Sequence, residues 1–121
     1  MRILIVDDDP DICIMMRTLL QAEGWTTEEV MSGREALQRL DEISKFDVLV
    51  LDYRMPGLTG IELARNLREG SSTPPMIMCS AYLNPEIEDE ARELGVPTVS
   101  KADLKLLVEM IREHADRKAV P

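Results

Sequence analysis

The most restrictive stretch of this chain is DVLVLDYRMPGLTG, Asp47 to Gly60. It opens with an unbroken apolar run, Val48 to Leu51, too short for a helix and rich in β-branched residues. Such a run reads as a strand buried on both faces. Asp52 stands at its end, and Met55-Pro56-Gly57 and Gly60 follow at once. Proline and glycine at that density stop the strand and impose a tight, exposed loop. In open parallel α/β sheets, ligands bind in the crevice beyond the carboxyl ends of the strands. Asp52 is placed for chemistry.

The rest of the chain repeats the pattern. Arg2 to Val6 is a short apolar strand followed by Asp7-Asp8-Asp9, with Asp9 and Pro10 suited to cap and open a helix. In that helix Ile12, Met15, Met16, Leu19 and Leu20 form an apolar stripe that Gly24 ends. Thr26 to Met31 is a more polar strand, expected at an edge. Ser32 and Glu35 form a capping box for a helix that faces Ala36, Leu37, Leu40 and Ile43 inward. After the central strand, Thr59 and Glu62 repeat the box for a helix to about Arg68, with Ile61, Leu63, Ala64 and Leu67 apolar.

A Ser- and Pro-rich loop, Gly70 to Pro75, leads to the buried strand Met76–Cys79, which delivers Ser80. Asn84-Pro85 starts a helix carrying Ile87, Ala91 and Leu94, and Gly95 stops it. Val96 to Val99, interrupted by Pro97, reads as a short edge strand handing over to Ser100-Lys101. A last helix places Leu104, Leu107, Val108 and Ile111 on one face, with a frayed tail from about Asp116. Five strands alternating with five helices give an α/β fold: a doubly wound, five-stranded parallel sheet with helices on both faces. With 121 residues and no long linker, the chain, residues 1–121, is expected to be one domain.

Four strands end in polar residues: Asp7/Asp8, Asp52, Ser80 and Lys101. A parallel sheet brings those ends to one edge. Clustered carboxylates repel unless a cation sits among them, and oxygen ligands without His or Cys suit Mg²⁺. An ammonium and a hydroxyl opposite could grip phosphoryl oxygens, and aspartate is a nucleophile for acyl-phosphate formation. Together these residues point to Mg²⁺-assisted phosphoryl transfer onto a carboxylate.

Composition excludes other chemistry. The net charge of −9 argues against direct nucleic-acid binding. Apolar runs are short and Met1-Arg2 leads straight into a strand, so no membrane span or secretory leader is expected and a cytoplasmic location is. Cys13 and Cys79 lack CxxC spacing and read as buried thiols. The one histidine, His114, lies in a charged helical segment, which leaves no candidate histidine base.

The chain resembles the receiver domain of two-component response regulators, a flavodoxin-like fold. The resemblance rests on ILIVDDDP, VLVLDYRMPGLTGIEL, MCSA and the late Lys101, and it covers essentially the whole chain. It implies phosphorelay signalling in which Asp52 accepts the phosphoryl group. Asp8, Asp52 and the backbone carbonyl of Arg54 would hold Mg²⁺, with Asp7 acting through a metal-bound water. Lys101 would pair with the phosphoryl group and Ser80 would hydrogen-bond it. The donor would be a phosphohistidine on a sensor kinase or histidine phosphotransfer domain, and the loops after the fourth and fifth strands would carry the change to an output domain or target protein. Such a domain turns over its own phosphate but no external substrate.

Two departures stand out. Ala102 takes the place of a proline that the family joins to its lysine by a cis bond. A cis bond without proline costs about 2.5–4 kcal/mol, so a trans loop and an altered approach of Lys101 are expected. Thr98 occupies the position of a switching aromatic. Arg54 and Tyr82 are expected to control water access to the phosphoryl group. A receiver-like interaction module that is never phosphorylated is the alternative; a haloacid-dehalogenase-type phosphatase is disfavoured because position 54 is not a second Asp.

Overall fold

The computed structural model describes residues 1–70 and 73–119, with side chains described as far as Asp116. Ser71 and Ser72 of the Ser- and Pro-rich loop, and Val120 and Pro121 of the expected tail, lie outside the described residues. The strands are β1 (Arg2–Val6), β2 (Thr26–Val30), β3 (Val48–Leu51), β4 (Met76–Ser80) and β5 (Thr98–Ser100). They pair in parallel in the order β2-β1-β3-β4-β5, so the order reverses between β1 and β3. The helices are α1 (Pro10–Gln21), α2 (Gly33–Leu37), α3 (Leu40–Ile43), α4 (Gly60–Arg68), α5 (Pro85–Glu93) and α6 (Leu104–Ala119).

The two-residue period of the strands divides the core. Leu4, Val6, Leu49, Leu51, Met76 and Met78 face the layer of α2 to α5, while Ile3, Ile5, Val48, Val50, Ile77 and Cys79 face α1 and α6. Burial on both faces is why β1, β3 and β4 are continuous apolar runs. β2 and β5 are the edges, as their polar or short sequences predicted. Glu28 and Glu29 on β2 meet arginines: Arg2 and Arg39 reach Glu28, and Arg17 reaches Glu29.

The local start signals hold. Asp9 accepts from the backbone N–H groups of Asp11 and Ile12, Asn84 from that of Ile87, and Thr59 and Glu62 form a complete capping box. At Ser32 the box is offset: its hydroxyl accepts from Glu35 N–H, but the Glu35 carboxylate reaches back to Met31 N–H.

Other expectations change. The single helix from Ser32 is two, α2 and α3, which makes six helices among the described residues in place of five. At Arg39 the backbone leaves helical geometry (φ −111°, ψ 26°), and the chain there makes i→i−3 bonds. The Arg39 guanidinium is engaged with Glu28 and Glu42 and lies over the Phe46 ring, contacts that no local pattern encodes. Leu40, at the new helix start, is 53% exposed. On α1 the buried residues are Cys13, Met16 and Leu20, with Ile12 half-buried, whereas Met15 and Leu19 are 51% and 41% exposed. Five apolar positions span a wider arc than α1's contacts with β2 and α6 can cover. β5 begins at Thr98: Pro97 precedes the strand and contributes only its carbonyl, to Met78 N–H. The helix at the C-terminus continues through Ala119, past the tail expected from Asp116.

Candidate functional site

The strand ends deliver their polar residues to one edge. Asp52 follows β3, and its N–H donates to the carbonyl of Val6 on β1. The loop beyond is folded tightly back: Gly57 has φ +87°, and Gly60 N–H donates to Tyr53 O at 2.8 Å. A Cβ on Gly60 would run into the Asp52 carbonyl oxygen, so only glycine lets α4 start this close to the phosphoacceptor candidate. Asp7 follows β1, its N–H bonded to Val30 O and its Oδ1 accepting from Asp9 N–H at 2.9 Å. Cys13 Sγ donates to the Asp7 carbonyl at 3.5 Å.

Lys101 follows β5 and reaches across. Its Nζ lies 2.8 Å from Asp7 Oδ2 and 3.2 Å from Asp52 Oδ2. Asp7 and Asp52 are almost fully buried, at 1% and 4% exposure, while Asp8 is exposed. Asp7 Oδ2 takes its compensation from the Lys101 charge, without an aligned hydrogen bond. Carboxylate oxygens of Asp7, Asp8 and Asp52 all lie within 4.8 Å of one another. Such a hard, anionic oxygen set, three carboxylates against one ammonium, fits a divalent cation such as Mg²⁺.

Electrostatics follow from this crowding. Burial, with the Asp7 carboxylate added to it, raises the Asp52 pKa above the ordinary carboxylate value, and Lys101 offsets only part. Burial acts to lower the Lys101 pKa, but Asp7 and Asp52 outweigh it and the ammonium is held raised. Burial pushes both free thiols, Cys13 and Cys79, up to about 12, which keeps them in the neutral thiol form.

Asp7, Asp8, Asp52 and Lys101 are thus brought together. Ser80 reaches the same edge, 1% exposed, but its hydroxyl accepts from Tyr82 N–H at 3.2 Å. The strand period explains the difference. Asp52 and Lys101 continue the α1/α6 face of Val48, Val50 and Val99, whereas Ser80 continues the opposite face of Met76 and Met78. No cis peptide bond occurs among the described residues, so Lys101–Ala102 is trans as expected. Lys101 nevertheless reaches the carboxylates.

Asp8, Asp52 and Lys101 line an open cleft of about 530 Å³ with Asp9, Pro10, Ile12, Arg54, Ala81 and Tyr82. Arg54 lies 4.4 Å from the centre of the exposed Tyr82 ring, a cation–π contact at the cleft mouth. The roles of Pro10 and Ile12 as lining were not read from sequence. Helical periodicity assigns Ile12 to the core stripe; its place in the first turn of α1, shortly after Asp8 and Asp9, is the signal that points to the cleft.

A family model for the response regulator receiver domain matches residues 3–112. Among curated relatives, the transcriptional regulatory protein CpxR homolog of Haemophilus influenzae is 38% identical over 95 residues, 78% of this chain and 39% of that protein. The chain spans well under half the length of the curated relatives it matches, between 31% and 39% for the first four. Among solved structures, the Francisella response regulator 1452 receiver domain superposes with a TM-score of 0.87 at 28% identity, covering 97% of this chain and 98% of that one. Response regulator TrrA of Thermotoga maritima, solved with Mg²⁺ and BeF, gives 0.81 at 28% identity over 93% of this chain and 97% of its own. TrrA has also been solved with the histidine kinase ThkA.

Proposed function

The chain belongs to the response regulator receiver domain family, and on that premise we propose that Asp52 is the phosphoacceptor through which it takes part in phosphorelay signalling. The observation that carries this reading is a buried aspartate in ion-pair contact with Lys101, within 4.8 Å of two further carboxylates at an open cleft. An Asp52 oxygen attacks the phosphorus of a phosphohistidine on a sensor kinase or histidine phosphotransfer domain. A P–O bond forms, the P–N bond breaks, and its electron pair leaves on the imidazole nitrogen.

In this reading Asp8, Asp52 and the Arg54 carbonyl would hold Mg²⁺, with Asp7 acting through water. Bound there, it would supply positive charge against the charge on the transferring phosphoryl oxygens. The TrrA complexes with Mg²⁺-BeF and with a histidine kinase support the choice of ion and donor class. Lys101, already paired with two carboxylates, shifts to the phosphoryl oxygens, and Ser80 turns its hydroxyl proton toward them. Arg54 and Tyr82 at the mouth limit the approach of water and so lengthen the life of the acyl phosphate. The protein is a signalling domain that turns over only its own phosphate. Its product is the altered surface of the β4–α5 and β5–α6 segments, read by an output domain or target protein. No helix among the described residues is long and apolar enough to cross a membrane, and we place the domain in the cytoplasm, where its donor would meet it.

The test is incubation with acetyl phosphate, with and without Mg²⁺, followed by intact mass spectrometry beside Asp52→Ala. One phosphate adduct is expected, dependent on Mg²⁺ and lost in the variant. No adduct would replace this reading with an interaction module that signals without phosphorylation, and one retained by Asp52→Ala would overturn Asp52 as the acceptor.

A further inference from the structure

We propose that Ser100 is the positioning residue for Lys101. Resting on the phosphoacceptor reading above, this assigns to a surface serine the task of presenting the ammonium to the phosphoryl group.

Lys101 sits at the second position of a turn closed by Asp103 N–H donating to Ser100 O at 2.9 Å. The Ser100 hydroxyl also accepts from Ala102 N–H at 3.0 Å. Both oxygens of Ser100 therefore bind the two residues that follow Lys101, a side-chain-assisted turn. The peptide on the other side is held as well, since Lys101 N–H donates to Ser80 O at 3.0 Å. The backbone of Lys101 is clamped before and after its Cα, and its long side chain spans from that clamp to Asp7 and Asp52.

The identity of residue 102 matters here. A proline at that position has no N–H and holds the turn by its fixed ring. Ala102 has a free φ and a free N–H, so the chain needs another constraint, and the Ser100 hydroxyl is the group that takes the N–H. Ser100 is exposed and its hydroxyl bonds the Ala102 backbone, so losing that hydroxyl spares the core and the cation site. What it loosens is the direction in which Lys101 leaves the sheet.

The experiment follows the rate of Mg²⁺-dependent adduct formation from acetyl phosphate in wild type, Ser100→Ala and Ser100→Thr. Alongside it run Mg²⁺ affinity by titration calorimetry and amide hydrogen exchange at residue 102. For Ser100→Ala we expect a rate lower by about fivefold, the worth of one net hydrogen bond, faster exchange at Ala102, and unchanged Mg²⁺ affinity. Ser100→Thr, which keeps the hydroxyl, restores rate and protection. A wild-type rate in Ser100→Ala, a threonine variant as slow as the alanine one, or Mg²⁺ affinity falling in step with rate would each overturn the assignment. A wild-type protein that takes no phosphate would overturn the Asp52 reading instead. The exchange arm then still decides whether Ser100 holds the loop.

Discussion

The two ends of the sheet use charge in opposite ways. At the amino end Arg2, Glu28, Arg39 and Glu42 alternate in sign and remain partly exposed, and the two arginines lie over Phe46, at 4.9 Å and 5.9 Å from its ring centre. At the carboxyl end Asp7 and Asp52 are buried side by side with Asp8 near them, and Lys101 is the cation that the structure puts between them. Alternating exposed charges each contribute little and are content without a ligand. Like charges held together in low dielectric are costly until something positive arrives. The first arrangement ties β2 and α3 to the sheet; the second keeps a place ready for a cation and a phosphoryl group.

Removing the shared cation tests this contrast most severely. Lys101→Met should cost about 3 kcal/mol in urea unfolding at neutral pH without Mg²⁺, because it leaves two buried carboxylates unpaired. Added Mg²⁺ should return part of that loss. A cost below about 1 kcal/mol would mean that the carboxyl end is as well screened as the amino end. Gly60→Ala should cost about 2 kcal/mol through overpacking, since the new methyl meets the Asp52 backbone. It should also slow phosphorylation; a variant with normal stability and rate would show that α4 can retreat freely.

Asp52→Asn should act with the opposite sign and stabilise the unliganded protein by about 1 kcal/mol at neutral pH. The folded Asp52 pKa lies above its unfolded value, so the native state binds more protons and stability falls as pH rises through that window. The advantage of Asn should therefore shrink as acid protonates the wild-type residue, and thermal melts of both proteins across pH check it. Glu28 should give the smallest effect. Arg39 and then Arg2 hold its pKa below the usual carboxylate value, so its contribution is present above that value and is lost as pH falls through the lowered one. Glu28→Gln should cost less than about 1 kcal/mol, and less again in high salt. A salt-insensitive loss would mean that the amino end does more than tie elements together.

Most of the carboxyl end was legible because each of its residues follows a strand that its own sequence defines. Apolar runs locate Asp7, Asp52 and Ser80, and parallel pairing then brings them together. What sequence missed depends on partners far away in the chain. Arg39 breaks a helix because Glu28 and Phe46 lie beside it. Met15 and Leu19 remain outside because the arc of α1 that packs on the sheet and α6 is the one carrying Cys13, Met16 and Leu20, and Cys13, absent from the expected stripe, is fully buried. The grip of Ser100 on Ala102 is local, yet it has meaning only once Lys101 is seen to span to Asp7. The face on which Ser80 falls follows from strand parity, which the uniform apolar run of β4 conceals.

The edges of the sheet also govern how copies of the molecule can meet. β2 offers its free side with Glu28 and Glu29 engaged by arginines, and β5 is three residues long with Pro97 immediately before it. Short or charged edges are poor templates for a further strand. Sheet extension from one copy into the next is therefore disfavoured at both margins, which leaves helix and loop surfaces as the better-suited places for copies to meet without new backbone pairing.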